Sequence, residues 1–407
     1  MLLSEVWSVA ALAAATVLYF LYVYVRHLWI LRKFKGPFPF PIIGNCYDPD
    51  VVQSILKYFA KARRSYGSIF VFFTFSQASL VVLDPIVVRR ILSDGRAFPI
   101  STQCTNIFRY VLGNGLVTSL NEVHRKDKEV FSIYFTREAI AGRSFAFNVI
   151  ADQAVDRLTR TRSSTNISIL FEICTLRMFM KFFSGTEYRQ YPESERILCE
   201  MLSEATHALS QLIMFGLPLF PFLPQVKALD TVIKEIKIDF AFSLNRRRAE
   251  HAEGINLDCE DCLNAMLAAR YTEKEMFDHF ITLLSAGHET TAYFVSYLVY
   301  LLAQHQDVQD QLRAEIQQHF KGRTEVTPDD IAELSYLSKV MQETLRYYAI
   351  IPLLTRTSAE EVHIKEANVT IPKGVEIVMP IAIINRCDFV AHCFDRLSLY
   401  AICYVDH

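Results

Sequence analysis

A short polar stretch interrupts a long apolar segment of this chain and limits what that segment can do. Apolar residues recur at helical spacing from position 275 to about 304, which predicts one long buried helix. Inside it, residues 286–291 read Ala-Gly-His-Glu-Thr-Thr. A buried threonine such as Thr290 bonds the carbonyl four residues back, here that of Ala286, and such a bond tends to bend a helix. Since Gly287 has no side chain, we expect a small groove there, where a flat ligand lies against the backbone.

A second motif, Glu343-Thr344-Leu345-Arg346, lies further along the chain. Glu343 and Arg346 share a face of a helix and have the geometry for a bidentate ion pair. Upstream, Thr327 is a typical N-cap, Pro328 a typical first helical residue, and Asp330 the third residue of a capping box. These three residues predict where the helix with the pair begins. An isolated Glu-x-x-Arg is common on surfaces, so we expect a structural role for it rather than a catalytic one.

Together the two motifs resemble those of the cytochrome P-450 family, the haem-thiolate monooxygenases. Residues 286–291 are similar to the family's Ala/Gly-Gly-x-Asp/Glu-Thr-Thr/Ser motif on the distal helix. The resemblance implies a mainly α fold with a small β-sheet, and a haem (iron protoporphyrin IX) that receives electrons from NADPH through a reductase. It implies that Ala286 and Gly287 lie against the haem. It also implies that Thr290 holds the iron-bound oxygen and its water, while Glu289 feeds protons for O–O cleavage.

Weaker similarities to the family follow in the expected order. Arg356, just after Pro352, stands where a basic residue commonly meets a haem propionate. Residues 121–135 resemble the family's helix with Trp-x-x-x-Arg, but His124 replaces the tryptophan and Lys128 the arginine. Lys128 still offers a point charge, although not a planar fork. For His124, a plain surface histidine is the alternative to a haem contact.

The resemblance covers roughly residues 36–388 and then stops. The sequence of residues 278–282 is similar to that of eukaryotic microsomal enzymes that act on sterols and fatty acids. This similarity favours a lipophilic substrate of the sterol, fatty-acid or xenobiotic class.

The family's Phe-x-x-Gly-x-Arg-x-Cys-x-Gly loop is not found before the chain ends. Cys387, Cys393 and Cys403 lack the glycine-bearing loop that lowers a thiol pKa. We therefore expect a P-450 scaffold truncated before its cysteine ligand, with the metal ligand unknown and an unrelated tail over residues 389–407.

A run of twenty uncharged residues, 6–25, predicts a single membrane-spanning helix, since about 1.5 Å per residue covers a hydrocarbon core of roughly 30 Å. Arg26, Arg32, Lys33 and Lys35 follow it, so the positive-inside rule places the rest of the chain in the cytosol, on the endoplasmic reticulum membrane. The alternative is a cleavable signal peptide, but no basic segment precedes the run. We expect an anchor (1–25), a basic and proline-rich hinge (26–45) and a P-450-like domain (46–388).

The remaining pattern predicts a β-hairpin within residues 68–83, helices from about 138 to 266, and strands at 362–364, 369–371 and 375–378. A small sheet would thus be built from both ends of the chain. With 51% hydrophobic residues in 407, the chain has enough apolar side chains for a large core. A net charge of -2 gives the chain no overall excess of basic residues, such as binding to nucleic acid would favour.

Two other functional classes compete with the monooxygenase. His288-Glu289-x-x-Ala292 half-matches the His-Glu-x-x-His helix of zinc peptidases, but alanine replaces the second ligand. The other class is a non-catalytic, truncated membrane protein that engages the redox partner without binding haem. A thiolate-type Soret shift with carbon monoxide after reduction separates the enzyme from this inert form.

Overall fold

The computed structural model describes residues 2–160, 166–185, 192–215, 219–255 and 261–386. Contacts divide the chain into two compact units. Of the described residues, the first contains those up to Cys104 together with 351–386, and the second contains those from Thr105 to Ile350. Each unit has its own buried core, so each is described by itself.

The first unit joins both ends of the chain in one sheet. Its helices are α1 (Leu2–Ile30), α2 (Pro49–Gln53), α3 (Ile55–Tyr66), α4 (Pro85–Ser93) and α18 (Ile381–Ile384). Its strands are β1 (Ile69–Thr74), β2 (Gln77–Val82), β3 (Leu354–Thr357), β4 (Val362–Ile364), β5 (Val369–Ile371) and β6 (Glu376–Met379).

The four-stranded sheet has the order β1-β2-β6-β3. β1 and β2 form the predicted hairpin, in which Phe72 faces Ser79 in antiparallel register. β6 then adds parallel to β2, with Val81 opposite Val378. The sheet built from both chain ends is therefore confirmed. β4 and β5 lie at their predicted positions, but they pair with each other in a separate two-stranded sheet, which was not predicted.

Strand β3 was not predicted, although its antiparallel pairing with β6 completes the sheet. Its residues are Leu-Thr-Arg-Thr, and all four are only partly buried. Because three of the four are polar or charged and the run is short, periodicity gives little signal. Backbone pairing with β6, where Arg356 faces Ile377, decides that the segment is extended.

Helix α1 covers the segment that was predicted to cross a membrane and continues past Val25 to Ile30. Its second half packs on the hairpin. The Tyr24 hydroxyl donates to the Pro39 carbonyl at 2.8 Å, and the Tyr24 ring lies 5.7 Å from that of Phe73. Among the residues that the structure describes, none of the helices combines the length and the apolar character needed to cross a membrane. The predicted span is not confirmed.

The second unit is helical. Its helices are α5 (Thr102–Leu112, which begins in the first unit), α6 (Asn121–Ser132), α7 (Arg137–Ala141), α8 (Ser144–Arg160), α9 (Ile167–Ser184), α10 (Pro192–Phe215), α11 (Pro224–Ala252), α12 (Cys262–Ala268), α13 (Glu273–Gly287), α14 (Glu289–Gln304), α15 (Gln306–Phe320), α16 (Pro328–Glu333) and α17 (Ser335–Tyr347). Its core is aromatic: the Phe280 ring lies 4.8 Å from Phe183, 5.3 Å from Phe240 and 5.8 Å from Phe179. The predicted mainly α fold with a small sheet is confirmed.

One helix start was assigned to the wrong helix. Thr327 and Asp330 do form a capping box, in which each side chain accepts from the other's backbone N–H. The helix that they begin, α16, ends at Glu333, and the Glu-x-x-Arg motif lies on the following helix, α17. Leu334, with ψ of 79°, leaves the helical region and separates the two helices.

Candidate functional site

The polar motif lies where the predicted long helix is interrupted. α13 ends at Gly287 and α14 begins at Glu289, with His288 (φ -84°, ψ -71°) between them. The Thr290 hydroxyl donates to the Ala286 carbonyl at 2.6 Å, as the sequence predicted. The segment is therefore two consecutive helices rather than one, and the break falls at the residues expected to bend it. A capping box between Thr272 and Glu275 fixes the start of α13.

Small residues leave one side of this break open. Ala286 and Gly287 are exposed, whereas Leu283 and Leu284 just before them are buried. Among the described residues outside its own helix turn, a methyl group added at Gly287 would meet Phe179 alone, at an ordinary contact distance of 3.7 Å. The backbone is thus accessible along a smooth face, as a flat planar ligand requires.

Glu289 points into a different environment from Thr290. The residue is 9% exposed, and its carboxylate accepts hydrogen bonds from Thr206 (2.5 Å) and Tyr293 (3.3 Å). Burial raises the pKa of Glu289, although both hydroxyls oppose the shift. Consecutive helix residues project about 100° apart, so Thr290 lies on the accessible side and Glu289 on the buried side. The structure does not bring the two predicted catalytic groups into direct contact.

Several partners in this buried network were missed by sequence reasoning. Tyr293 had a signal, since it lies four residues after Glu289 and shares its helix face. Thr206 on α10 and Glu172 on α9 had none, because they are distant in sequence. Glu172 is buried as well, and burial together with the charges of Glu289 and Glu200 raises its pKa to about 7.

His288 is a core residue rather than a metal ligand. It is 1% exposed, and its Nε2 lies 3.0 Å from the Glu172 carbonyl. Burial lowers the pKa of His288 to about 4, so the ring is neutral. Over the ranges that the structure describes, no three His, Cys, Asp or Glu side chains are placed to hold a metal ion. The zinc-peptidase alternative therefore has no geometric support.

The Glu343–Arg346 pair is present on α17, as predicted. Arg346 Nε donates to Oε2 of Glu343 at 2.7 Å, and a second guanidinium nitrogen donates to Oε1 at 2.6 Å. The side chains are only 7% (Arg346) and 11% (Glu343) exposed. A bidentate, nearly buried pair at this spacing links adjacent turns of the helix, and each charge is neutralised by its partner, which suits a structural role.

The basic residues assigned to haem propionates lie in both units. On α6, Lys128 is exposed and forms no ion pair with any described residue. Half-buried His124 has Nδ1 3.0 Å from the Leu116 carbonyl, so that nitrogen is protonated and the ring is held by the backbone. On β3, the Arg356 guanidinium donates to the neighbouring Thr355 carbonyl at 2.9 Å, and within the described ranges it has no acidic partner. Lys128 and Arg356 thus suit an external carboxylate, and the roles of all three residues stay predictions.

The described thiols do not suit an axial thiolate. The five are Cys46, Cys104, Cys174, Cys199 and Cys262. Burial raises the pKa of each, to about 12 for Cys262, so each holds its proton at neutral pH. Cys259, Cys387, Cys393 and Cys403, and the predicted tail, lie outside the described residues.

Comparison with known proteins decides the family. The family model described as Cytochrome P450 matches residues 34–388. This chain belongs to the cytochrome P450 family. It is 26% identical to Cytochrome P450 3A12 of Canis lupus familiaris, over 94% of this chain and 78% of the relative. It is also 26% identical to Cytochrome P450 monooxygenase 91 of Postia placenta (88% and 78% covered) and 23% identical to Cytokinin hydroxylase of Arabidopsis thaliana (95% and 83%).

Family membership makes the chain a P450-type monooxygenase whose cofactor is haem, reduced through a reductase. When bound, the haem iron supplies dioxygen activation, to which an axial thiolate contributes electron density. The accessible face at Ala286, Gly287 and Thr290 fits the distal side of such a group. On the proximal side, none of the cysteines with described positions fits as ligand.

Proposed function

We propose that this P450 inserts one oxygen atom from O2 into a lipophilic substrate of the sterol, fatty-acid or xenobiotic class. The observation that carries the proposal is the accessible face at the α13–α14 break, where Ala286 and Gly287 are exposed shortly after the buried stretch 278–284. Half-buried apolar residues continue along α14 at Phe294 and Val295. An apolar surface at Phe294 and Val295, next to the polar hydroxyl of Thr290, suits a lipophilic ligand that is oxidised at one carbon.

Thr290 is proposed to hold a water molecule at this step. Its hydroxyl proton is committed to the Ala286 carbonyl, so the oxygen lone pairs accept a hydrogen bond from outside the helix. Glu289 holds a proton more tightly than an exposed glutamate, and Thr206 and Tyr293 fix its carboxylate. Because Glu289 and Thr290 do not touch, a proton passing between them requires a bridging water or a side-chain rotation.

The substitution Thr290→Ala tests this role, with Thr291→Ala as the matched control, since Thr291 is the adjacent, exposed threonine. Positioned proton transfer contributes roughly 10²–10⁴-fold to a rate. In the full chain loaded with haem, Thr290→Ala should lower product formed per O2 consumed severalfold or more, whereas Thr291→Ala should not. Equal coupling in the two variants would remove Thr290 from the mechanism.

Membrane attachment is part of the proposal. The twenty uncharged residues at 6–25 and the basic residues after them favour a single-pass anchor in the endoplasmic reticulum, with the bulk of the chain cytosolic and NADPH–cytochrome reductase as partner. Carbonate extraction of membranes from expressing cells tests it: an anchored chain stays in the pellet, and recovery in the supernatant contradicts the anchor.

A second candidate function is a catalytically inactive form that engages the reductase without turnover. It is favoured by the raised pKa of every described thiol, since a protonated thiol does not ligate iron. The reduced carbon monoxide spectrum of the full chain separates the two. A thiolate-type Soret shift supports the enzyme, and absence of haem absorption supports the inactive form.

A further inference from the structure

An acidic cavity that is open to solvent lies on the second unit, apart from the accessible face at Gly287. Its volume is about 630 Å³, and helices α9, α10 and α14 line it. Three of the lining residues are glutamates, Glu172, Glu200 and Glu204, and Tyr293 and Ser203 add polar groups. The volume falls within the range of about 300–1,000 Å³ typical of small-molecule sites.

Glu172 is the residue that most requires a ligand. It is only 4% exposed, yet its carboxylate accepts no hydrogen bond from any residue that the structure describes. A largely buried carboxylate without a protein donor is costly, because it keeps only part of its hydration and gains no hydrogen bond from the protein in return. Burial raises the pKa of Glu172 to about 7, which means that the charged carboxylate is disfavoured at this position.

Helix α10 contributes a second carboxylate, which is exposed to solvent. Glu200 and Glu204 are four residues apart on α10 and share a helix face. Glu200 is paired with Arg196 at 2.6 Å, whereas Glu204 forms no ion pair with another described residue. Two carboxylates on facing helices, Glu172 and Glu204, therefore remain for cationic groups.

The lining favours an organic cation over a metal ion. As noted, no three potential metal-ligating side chains converge within the described ranges. An ammonium group needs only acceptors, which the carboxylates and the Ser203 hydroxyl provide, and an aromatic face, which Tyr293 provides. Ile169 supplies an apolar contact for a short hydrocarbon linker.

We propose that this cavity binds a small aliphatic diamine, with one ammonium on Glu172 and the other on Glu204. The ligand neutralises the buried carboxylate of Glu172 and bridges α9 and α10. Tyr293 also donates to Glu289, so the site shares one side chain with the buried network beside the P450 motif.

Titration of the full chain with 1,4-diaminobutane, followed by calorimetry and by the thermal unfolding midpoint, tests the proposal. The diamine should bind and raise the midpoint, while 1,4-butanediol, which has the same linker but no charge, should do neither. Glu172→Gln should weaken diamine binding about tenfold or more, since it removes a charge-assisted hydrogen bond. Without ligand, the same variant should be at least as stable as the parent, because a buried charge has been removed.

Glu204→Gln is the second variant. Glu204 is exposed, so this substitution leaves the packed core unchanged, and it should weaken diamine binding severalfold. Glu253→Gln removes the same charge from an exposed residue outside the lining and serves as the matched control. Equal binding of diamine and diol would overturn the proposal. So would diamine affinity that is unchanged in both cavity variants, or lowered as much by Glu253→Gln.

Discussion

Breaking the Glu343–Arg346 pair should destabilise the second unit strongly. Arg346→Met removes two hydrogen bonds of 2.7 and 2.6 Å and leaves the Glu343 carboxylate, 11% exposed, without the guanidinium. Charge-assisted bonds contribute about 1.5–3 kcal/mol each, and removal of one partner from a buried pair costs about 3–5 kcal/mol. We expect the free energy of unfolding to fall by about 3–5 kcal/mol, because methionine replaces the volume of the arginine's aliphatic stem but not its charge.

The chain contains a matched surface control. Glu122 and Arg125 have the same residue types at the same spacing, but their side chains are 80% and 69% exposed. Arg125→Met should therefore cost less than about 1 kcal/mol. Urea unfolding followed by far-ultraviolet circular dichroism measures both variants. If the two substitutions lower the unfolding midpoint equally, burial of the pair does not determine its contribution, and the reasoning fails.

Three other perturbations follow from contacts in the second unit. Gly115→Ala should lower the free energy of unfolding by about 1–3 kcal/mol, because the new methyl group would clash with the Asp278 carbonyl. An unchanged melting temperature would contradict this. Thr272→Ala should lower the free energy of unfolding by about 0.5–2 kcal/mol, because it breaks the capping box with Glu275. If urea unfolding shows no change, the capping box does not contribute to stability. The pKa of His288 is about 4 in the folded protein and about 6.5 in the unfolded chain, so the unfolded chain takes up the proton at higher pH. Stability should therefore be lost as the pH falls from about 6.5 toward 4. His288→Gln should flatten that dependence in urea midpoints at pH 7 and pH 5, and an equal slope would refute it.

Local rules predicted the elements that depend on near neighbours. The Thr290–Ala286 bond and the Glu343–Arg346 pair join residues three or four positions apart, so helical periodicity alone places them. The β1–β2 hairpin was predicted for the same reason, since its strands flank a short turn. The helix start at Thr327 was recognised, but the end of its helix at Glu333 was not, because Leu334 carries no breaker signal.

The environment of Glu289 shows where local rules stop. The sequence placed Glu289 next to Thr290, and adjacency suggested a shared task. Packing turned its carboxylate toward Thr206 on α10 instead, and it placed unpartnered Glu172 near the same network. Neither contact has a sequence signal, because each joins residues that are remote along the chain.

By itself, the sequence determined the helical class, the position of the bend at residues 286–291 and the family resemblance, since all three depend on residue types at short, fixed spacing. Only the tertiary structure decided which polar side chains became buried, which thiols kept their protons, and that an acidic cavity opens beside Glu172. The physical reason is that desolvation and long-range contact depend on which elements meet. A titratable group acquires its chemical character from neighbours that the linear order does not bring together.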